Sequence, residues 1–332
     1  MKSISEIFAE HQGKLVDKWS LYINEMDHLF SKYRTKSINL LEIGIQNGGS
    51  LEIWSKYFPN AKHIVGCDID PKCAELSFED RRISVIVGDA NLSEKQVFEI
   101  AGSYDVIIDD GSHKSGDILK SFSLYFESLN EGGSYIIEDL HCSYWSDFEG
   151  GLYDAYSSMS FLKRLADVIN YEHWRFDKPP EFFLKDFCAK YNFNIETHVL
   201  EEIHSIEFMN SLCIIRKSSK ENNKLGQRHV EGIEEIVTKN QKTTNTSLIE
   251  DITFNFEQNE RDDVFNLKKD LLHQEQQISN LSQSLAEREA QISNLSNYLN
   301  DILKSMSWRV TKPLRASNKL FKIILKKLNY YE

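Results

Sequence analysis

Five short apolar runs, each closing on an acidic residue or a glycine, constrain this chain more than any other feature. They read "INLLEIG" from residue 38, "HIVGCDID" at 63–70, "ISVIVGDA" at 83–90, "YDVIIDD" at 104–110 and "GGSYIIEDL" at 132–140. Spacers long enough for helices, such as 50–58 and 115–129, separate them. Nearly continuous apolar strands that alternate with helices predict a parallel sheet covered on both faces, because only such a strand is dry on both sides. The expected fold is therefore α/β and doubly wound. Two later segments, "FNIETHVL" at 193–200 and "IEFMNSLCIIRK" at 206–217, are expected to close the sheet, the last pair antiparallel. Residues 1–37 read as a helical N-terminal extension. Ser3 and Glu6 have capping-box spacing, and Ile7, Leu15, Trp19, Tyr22 and Ile23 supply an apolar stripe.

Beyond residue 217 the composition turns to Lys, Asn, Gln, Thr and Ser, which marks 218–262 as a linker. Val264, Leu271, Ile278, Leu285, Ile292, Leu299 and Met306 then recur every seven residues, with Leu267, Leu281, Leu295 and Ile302 three positions after members of that series. No Gly or Pro interrupts them. A coiled coil over 263–306, about 64 Å long at 1.5 Å per residue, is the expectation. It would make the chain a homo-oligomer, dimer or trimer, with Gln274 and Arg288 at core positions limiting stability.

Charge separates the body from the tail. The chain carries a net −12, yet residues 304–332 hold eight Lys/Arg and one acid, so the body is near −19. A body that acidic argues against a nucleic-acid partner, since phosphate binding needs basic surface. Five cysteines without a CxxC pair, and a start lacking an apolar signal core, suggest reduced thiols and a cytoplasmic protein. No run of about 18 apolar residues is present to span a membrane.

The ends of the apolar runs carry the chemistry. "LLEIGIQNGGS" places glycines at 44, 48 and 49 after the first strand, where a ligand can approach the backbone closely. Asp68 ends the second run, positioned for the two hydroxyls of a ribose, and Asp89 ends the third, positioned for an adenine amino group. "IIDDGSH" (107–113) crowds Asp109, Asp110 and His113 together, and "IEDLHCSYW" (137–145) adds Glu138, Asp139 and His141 from the next strand. Like charges gathered so closely need a counter-charge. Oxygen donors without a thiolate suit a hard divalent cation, Mg²⁺ first and Mn²⁺ or Ca²⁺ next. Glu138 and Asp139 are neighbours, so both can face one ion only if the strand turns there. Tyr144 and Trp145 could stack on a sugar ring or pack in the core.

The run "LLEIG", "VGCDID", "GDA" over residues 38–217 resembles the class I S-adenosylmethionine-dependent methyltransferases, whose sheet is Rossmann-like. That resemblance implies Glu42 and Gly44 near the methionine portion of the cofactor, Ser50 against it, Asp68 on the ribose and Asp89 near the adenine. The pair "DDGSH" and "IEDLHCSYW" resembles metal-dependent sugar O-methyltransferases of the mycinamicin and macrocin type, with cephalosporin hydroxylase-like and rhamnosyl O-methyltransferase relatives. It implies Asp110, Glu138 and Asp139 as ligands of Mg²⁺ or Mn²⁺ and His113 as general base. The acceptor would be a sugar or glycan, free or lipid-linked. A non-sugar natural product, or a non-catalytic scaffold of a carbohydrate-assembly complex, are the alternatives.

The tail over 307–332, "SWRVTKPLR" onward, resembles C-terminal segments of bacterial enzymes that build surface polysaccharides. After Pro313 a new helix is expected, with Leu320, Phe321, Ile324 and Leu328 on one face and lysines around them. Such a helix suits peripheral contact with the inner face of an anionic membrane, or docking to a glycosyltransferase partner.

Overall fold

The computed structural model describes residues 1–174, 178–234, 236–237 and 256–328; the side chains at 256–276, 279–280, 308, 321, 324–325 and 327–328 lie outside that description. The chain divides into two units, Met1–Gln227 and Arg228–Glu332.

In the first unit, helices α1 (Ile4–Ala9) and α2 (Ser20–Phe30) precede strand β1 (Asn39–Ile43) and helix α3 (Gly49–Tyr57). Strands β2 (His63–Asp68) and β3 (Ile83–Val87), helix α4 (Glu94–Ala101), β4 (Tyr104–Asp109), α5 (Ser115–Tyr125) and β5 (Leu129–Ile137) follow. Helices α6 (Ser158–Val168), α7 (Lys185–Tyr191) and α8 (Thr197–Glu201) lead into β6 (Ile203–Met209) and β7 (Leu212–Lys217). The seven strands order as β3-β2-β1-β4-β5-β7-β6. All pairs from β3 to β5 are parallel, and β7 runs antiparallel to both β5 and β6.

Strand periodicity divides the core. Leu41, Ile43, Val65, Cys67, Ile107 and Ile137 face the layer of α4, α5, α6 and α7. Their neighbours Leu40, Ile64, Val106, Ile108 and Ile136 face α1, α2 and α3. Successive side chains of a strand point to opposite faces, so both sets are buried and the runs read as continuous. The N-terminal helices are part of this packing: Ile4, Ile7, Tyr22, Met26 and Phe30 belong to the second layer.

Two expectations need correction. Residues 1–37 are not one helical segment, because an extended strap over 10–19 separates α1 from α2 and leaves Leu15 and Trp19 exposed. The capping box at Ser3 and Glu6 does start α1. Residues 193–200 form no strand. Asn192 takes a left-handed conformation that ends α7, and Ile195, Val199 and Leu200 are buried as the chain enters α8. The closing pair is instead the hairpin β6–β7 across Asn210 and Ser211.

The second unit holds a 49-residue helix α9 (Phe256–Lys304), then α10 (Met306–Val310) and α11 (Lys312–Leu328). Pro313 lies in the first turn of α11, where its missing N–H costs nothing. Ile278, Leu285, Ile292 and Leu299 of the heptad series are exposed on α9; Val264, Leu267, Leu271 and Gln274 are outside the described side chains. Of the apolar face expected on the tail, Leu320 is exposed and Phe321, Ile324 and Leu328 are outside the described side chains. Among the described residues, no helix is long and apolar enough to cross a membrane.

Candidate active site

The sheet topology makes a crevice where β1 lies between β2 and β4, since the chain leaves β1 in one direction and returns on its other side. The ladder extends past the strand ends: the Asp110 amide donates to Ile43 O (2.9 Å) and the Glu138 amide to Asp109 O (3.0 Å). Gly44, Asp110 and Glu138 are thereby brought to one edge. A cavity of about 250 Å³ opens there, lined among others by Gly44, Gln46, Asp68, Asp89, Asp110 and Gly111. Gly44 has φ +83°, and a Cβ on it would meet the Asp110 carbonyl at 2.1 Å, so only glycine allows β1 and β4 to meet this way.

Asp68 and Asp89 line this cavity. Asp68 Oδ2 accepts the amides of Ile45 (2.9 Å) and Gln46 (2.8 Å), and Oδ1 that of Asp70 (2.9 Å). It thereby fixes the loop after β1. Glu42 and Ser50 do not line the cavity. Glu42 is fully buried, and its Oε2 accepts from Ser50 Oγ (2.6 Å) and Trp54 Nε1 (3.1 Å), so the two side chains satisfy each other behind the loop. Gly48 and Gly49 also serve the fold: a Cβ at Gly49 would strike the carbonyls of Lys14 and Leu15 at 2.3 and 2.4 Å. The strap crosses the start of α3 at that point.

The counter-charge among the acids is Lys18, from the strap. Its Nζ lies 2.7 Å from Asp110 Oδ2, 2.7 Å from Glu138 Oε1 and 3.3 Å from Glu42 Oε1, with 4% of the side chain exposed. Burial works against the ammonium, but Glu138, Asp110 and Glu42 together hold its pKa well above the ordinary value. Burial raises Glu42 and pushes Glu138 up to about 8, against the pull of Lys18. Asp109, buried and accepting from the Tyr135 hydroxyl, is pushed up by burial to about 7. Lys18 thus pairs with all three carboxylates, those of Glu42, Asp110 and Glu138.

Asp139 and His113 complete the group. Both have left-handed backbones, φ 53° and 58°, conformations that non-glycine residues hold at a cost and that gather at functional sites. The turn at Asp139 breaks the alternation of β5, so Glu138 points in toward Lys18 and Asp139 joins Asp110 and His113. One ligand atom from each of Asp110, His113 and Asp139 lies within 4.8 Å of the others, a set able to hold a metal ion. Glu138, expected as a third carboxylate ligand, lies 2.7 Å from Lys18 Nζ through its Oε1, the same distance as Asp110 Oδ2. Asp139 Oδ1 accepts from Trp19 Nε1 (3.0 Å) and lies 2.9 Å from the Tyr22 hydroxyl, while Oδ2 faces His113 Nε2 at 3.8 Å. His141 Nδ1 lies 3.8 Å from Asp139 Oδ1 and 2.5 Å from Ser211 Oγ.

Lys18, Trp19 and Tyr22 were missed by motif reading. The demand for a counter-charge was visible in the acid cluster, but "KLVDKWSLY" contains no signal that selects Lys18 to meet it.

Strand order, flanking helices and this crevice define a Rossmann-like methyltransferase fold. It is shared with the MycE methyltransferase of the mycinamycin biosynthetic pathway, solved with Mg and SAH (TM-score 0.55, 25% identity, covering 73% of this chain and 58% of that one). No family model matches the chain. An 8-demethyl-8-alpha-L-rhamnosyl tetracenomycin-C 2'-O-methyltransferase of Streptomyces olivaceus is 34% identical over 170 residues, which cover 48% of this chain and 44% of the relative. A mycinamicin VI 2''-O-methyltransferase of Micromonospora griseorubida is 35% identical over 159 residues, 44% of this chain and 39% of its own. The chain thus spans less than half the length of these curated relatives.

Replacing Lys18 tests its place in the site. Lys18→Met should lower unfolding stability by about 3–5 kcal/mol, because it leaves buried carboxylates unpaired, and Lys18→Arg should recover part of the loss. Urea denaturation without added metal measures this; a Lys18→Met protein as stable as the wild type would show that the ammonium is not the counter-charge.

Proposed function

We propose that the chain is an S-adenosylmethionine- and divalent-metal-dependent O-methyltransferase acting on a sugar hydroxyl. The observation that carries this reading is the Asp110–His113–Asp139 group at the lip of the crevice that Gly44, Asp68 and Asp89 line. The donor set fits a hard divalent cation: the carboxylates of Asp110 and Asp139, with no thiolate near them and His113 beside them. Names of the relatives favour a glycoside of a natural product as acceptor over a surface polysaccharide, a setting suggested by the tail alone.

In this reading Asp68 takes the ribose, Asp89 the adenine end, and Gly44 lets the methionine portion approach the backbone. Asp110 and Asp139 hold the cation, while Glu138 fixes Lys18 beside them. When bound, the cation would acidify and orient the acceptor hydroxyl, and the sulfonium would supply the methyl group. His113 Nε2 accepts the hydroxyl proton, a task suited to neutral imidazole near neutral pH. Asp139 Oδ2, 3.8 Å from that nitrogen, steadies the resulting imidazolium. Holding both reactants at one edge supplies the remaining advantage through proximity.

We also propose that residues 263–306 associate as a homo-oligomeric coiled coil, which would cover the exposed Ile278, Leu285, Ile292 and Leu299. Sedimentation should show an oligomer for the full chain and a monomer for the Leu285→Lys, Ile292→Lys double variant. A monomeric wild type would end this proposal.

For the site, calorimetry with S-adenosylhomocysteine and Mn²⁺ separates the roles. Asp68→Ala should weaken cofactor product binding and spare Mn²⁺; Asp110→Ala should abolish Mn²⁺ binding and spare the product. His113→Ala should keep both ligands while methylation of a rhamnosyl glycoside falls by about 10²–10⁴. A wild-type protein that binds neither ligand would refute the enzyme reading, and full activity of His113→Ala would refute the base assignment.

A further inference from the structure

A second cavity, of about 470 Å³, is lined among others by Trp19, Tyr22, His141, Trp145 and Ser211, and both Trp19 and Tyr22 donate to Asp139 Oδ1. Its walls are unusual for a surface. Trp19 and Trp145 are 59% and 52% exposed, although aromatic side chains of that size gain most from burial. Their rings flank His141 edge-on: Trp19 lies 6.1 Å from it at 89°, and Trp145 lies 5.1 Å from it at 74°. Neither indole is loose. Trp19 Nε1 donates to Asp139 Oδ1 (3.0 Å), and Trp145 packs near Phe148 at 6.0 Å. The His141 ring is held by Ser211 Oγ.

We propose that this pocket is the acceptor subsite and that it takes a pyranose ring, seated against the indoles of Trp19 and Trp145. The proposal deepens the O-methyltransferase reading and rests on it. Three features select a sugar. The exposed indoles offer apolar surface to the C–H face of a pyranose. The polar rim of His141, Ser211 and Tyr22 offers hydrogen-bonding groups to ring hydroxyls. Asp139, which accepts from Trp19 on one oxygen and faces His113 with the other, joins the pocket to the reacting group. A ring stacked on Trp19 therefore has a hydroxyl edge beside Asp139. The relatives named above methylate glycosyl groups, which is the same chemical class.

The pocket wall comes from two neighbours in sequence with opposite tasks. Lys18 turns inward to the carboxylates, and Trp19, at the start of α2, turns outward. The latch that anchors the strap thus sets the position of the platform.

Titration of the full-length protein with methyl α-L-rhamnopyranoside, with and without S-adenosylhomocysteine and Mg²⁺, tests the proposal by saturation-transfer NMR. Trp19→Ala and Trp145→Ala should each weaken glycoside binding by about tenfold while S-adenosylhomocysteine affinity stays within about twofold. Trp145→Phe, which keeps an aromatic face, should restore part of the loss. Undiminished glycoside binding in both alanine variants would overturn the subsite, as would a wild-type protein that binds S-adenosylhomocysteine and no glycoside. Glycoside binding lost in the alanine variants, in a protein that never binds S-adenosylhomocysteine, would uphold the sugar pocket and strike the methyltransferase reading alone.

Discussion

One buried ammonium organises the acidic edge of this protein. Lys18 Nζ meets Asp110 and Glu138 at 2.7 Å and Glu42 at 3.3 Å, three carboxylates delivered by three parallel strands. Without a cation there, their desolvation and mutual repulsion would oppose the folded arrangement. The same contacts pin the strap over 10–19 to the sheet. Lys14 reinforces it through Glu52, and Gly49 yields the space in which the strap crosses α3. The N-terminal segment is therefore a wall of the site as well as a layer of the core.

Asp110 is shared between Lys18 and the Asp110–His113–Asp139 group, where the proposed cation would sit. The division of labour follows from backbone geometry. Because Asp139 leaves the extended conformation, it does not compete with Glu138 for Lys18 and joins Asp110 and His113 instead. Asp139 accepts from Trp19 and Tyr22, which line one cavity, and its carboxylate lies close to that of Asp110, which lines the other with Asp68 and Asp89. A cofactor in the first and an acceptor in the second would meet across it.

Sequence pattern revealed the strands and their acidic ends because parallel strands dry on both faces leave unbroken apolar runs. Asp68, Asp89, Asp110 and Asp139 stood out in the sequence for the same reason, since each lies where a run stops, and His113 follows three residues after one. The strap was not. Leu15 and Trp19 fit helical spacing with Ile7 and Tyr22, but tertiary contacts of Lys14 and Lys18 override that local preference and leave both side chains outside. At 193–200, alternating apolar residues suggested a strand, while the spacing of Ile195 and Val199 was already helical. Glu42 and Ser50 lie behind the loop rather than along the cavity, and strand position alone does not tell which carboxylate faces outward and which is consumed by its neighbours.

Diffraction at the manganese absorption edge, from crystals grown with Mn²⁺ and S-adenosylhomocysteine, tests the central claim most directly. The account predicts one anomalous peak bonded to Asp110 and Asp139 at about 2.1–2.2 Å, with S-adenosylhomocysteine along Gly44, Asp68 and Asp89. S-adenosylhomocysteine bound in that crevice with no manganese at these carboxylates would contradict it.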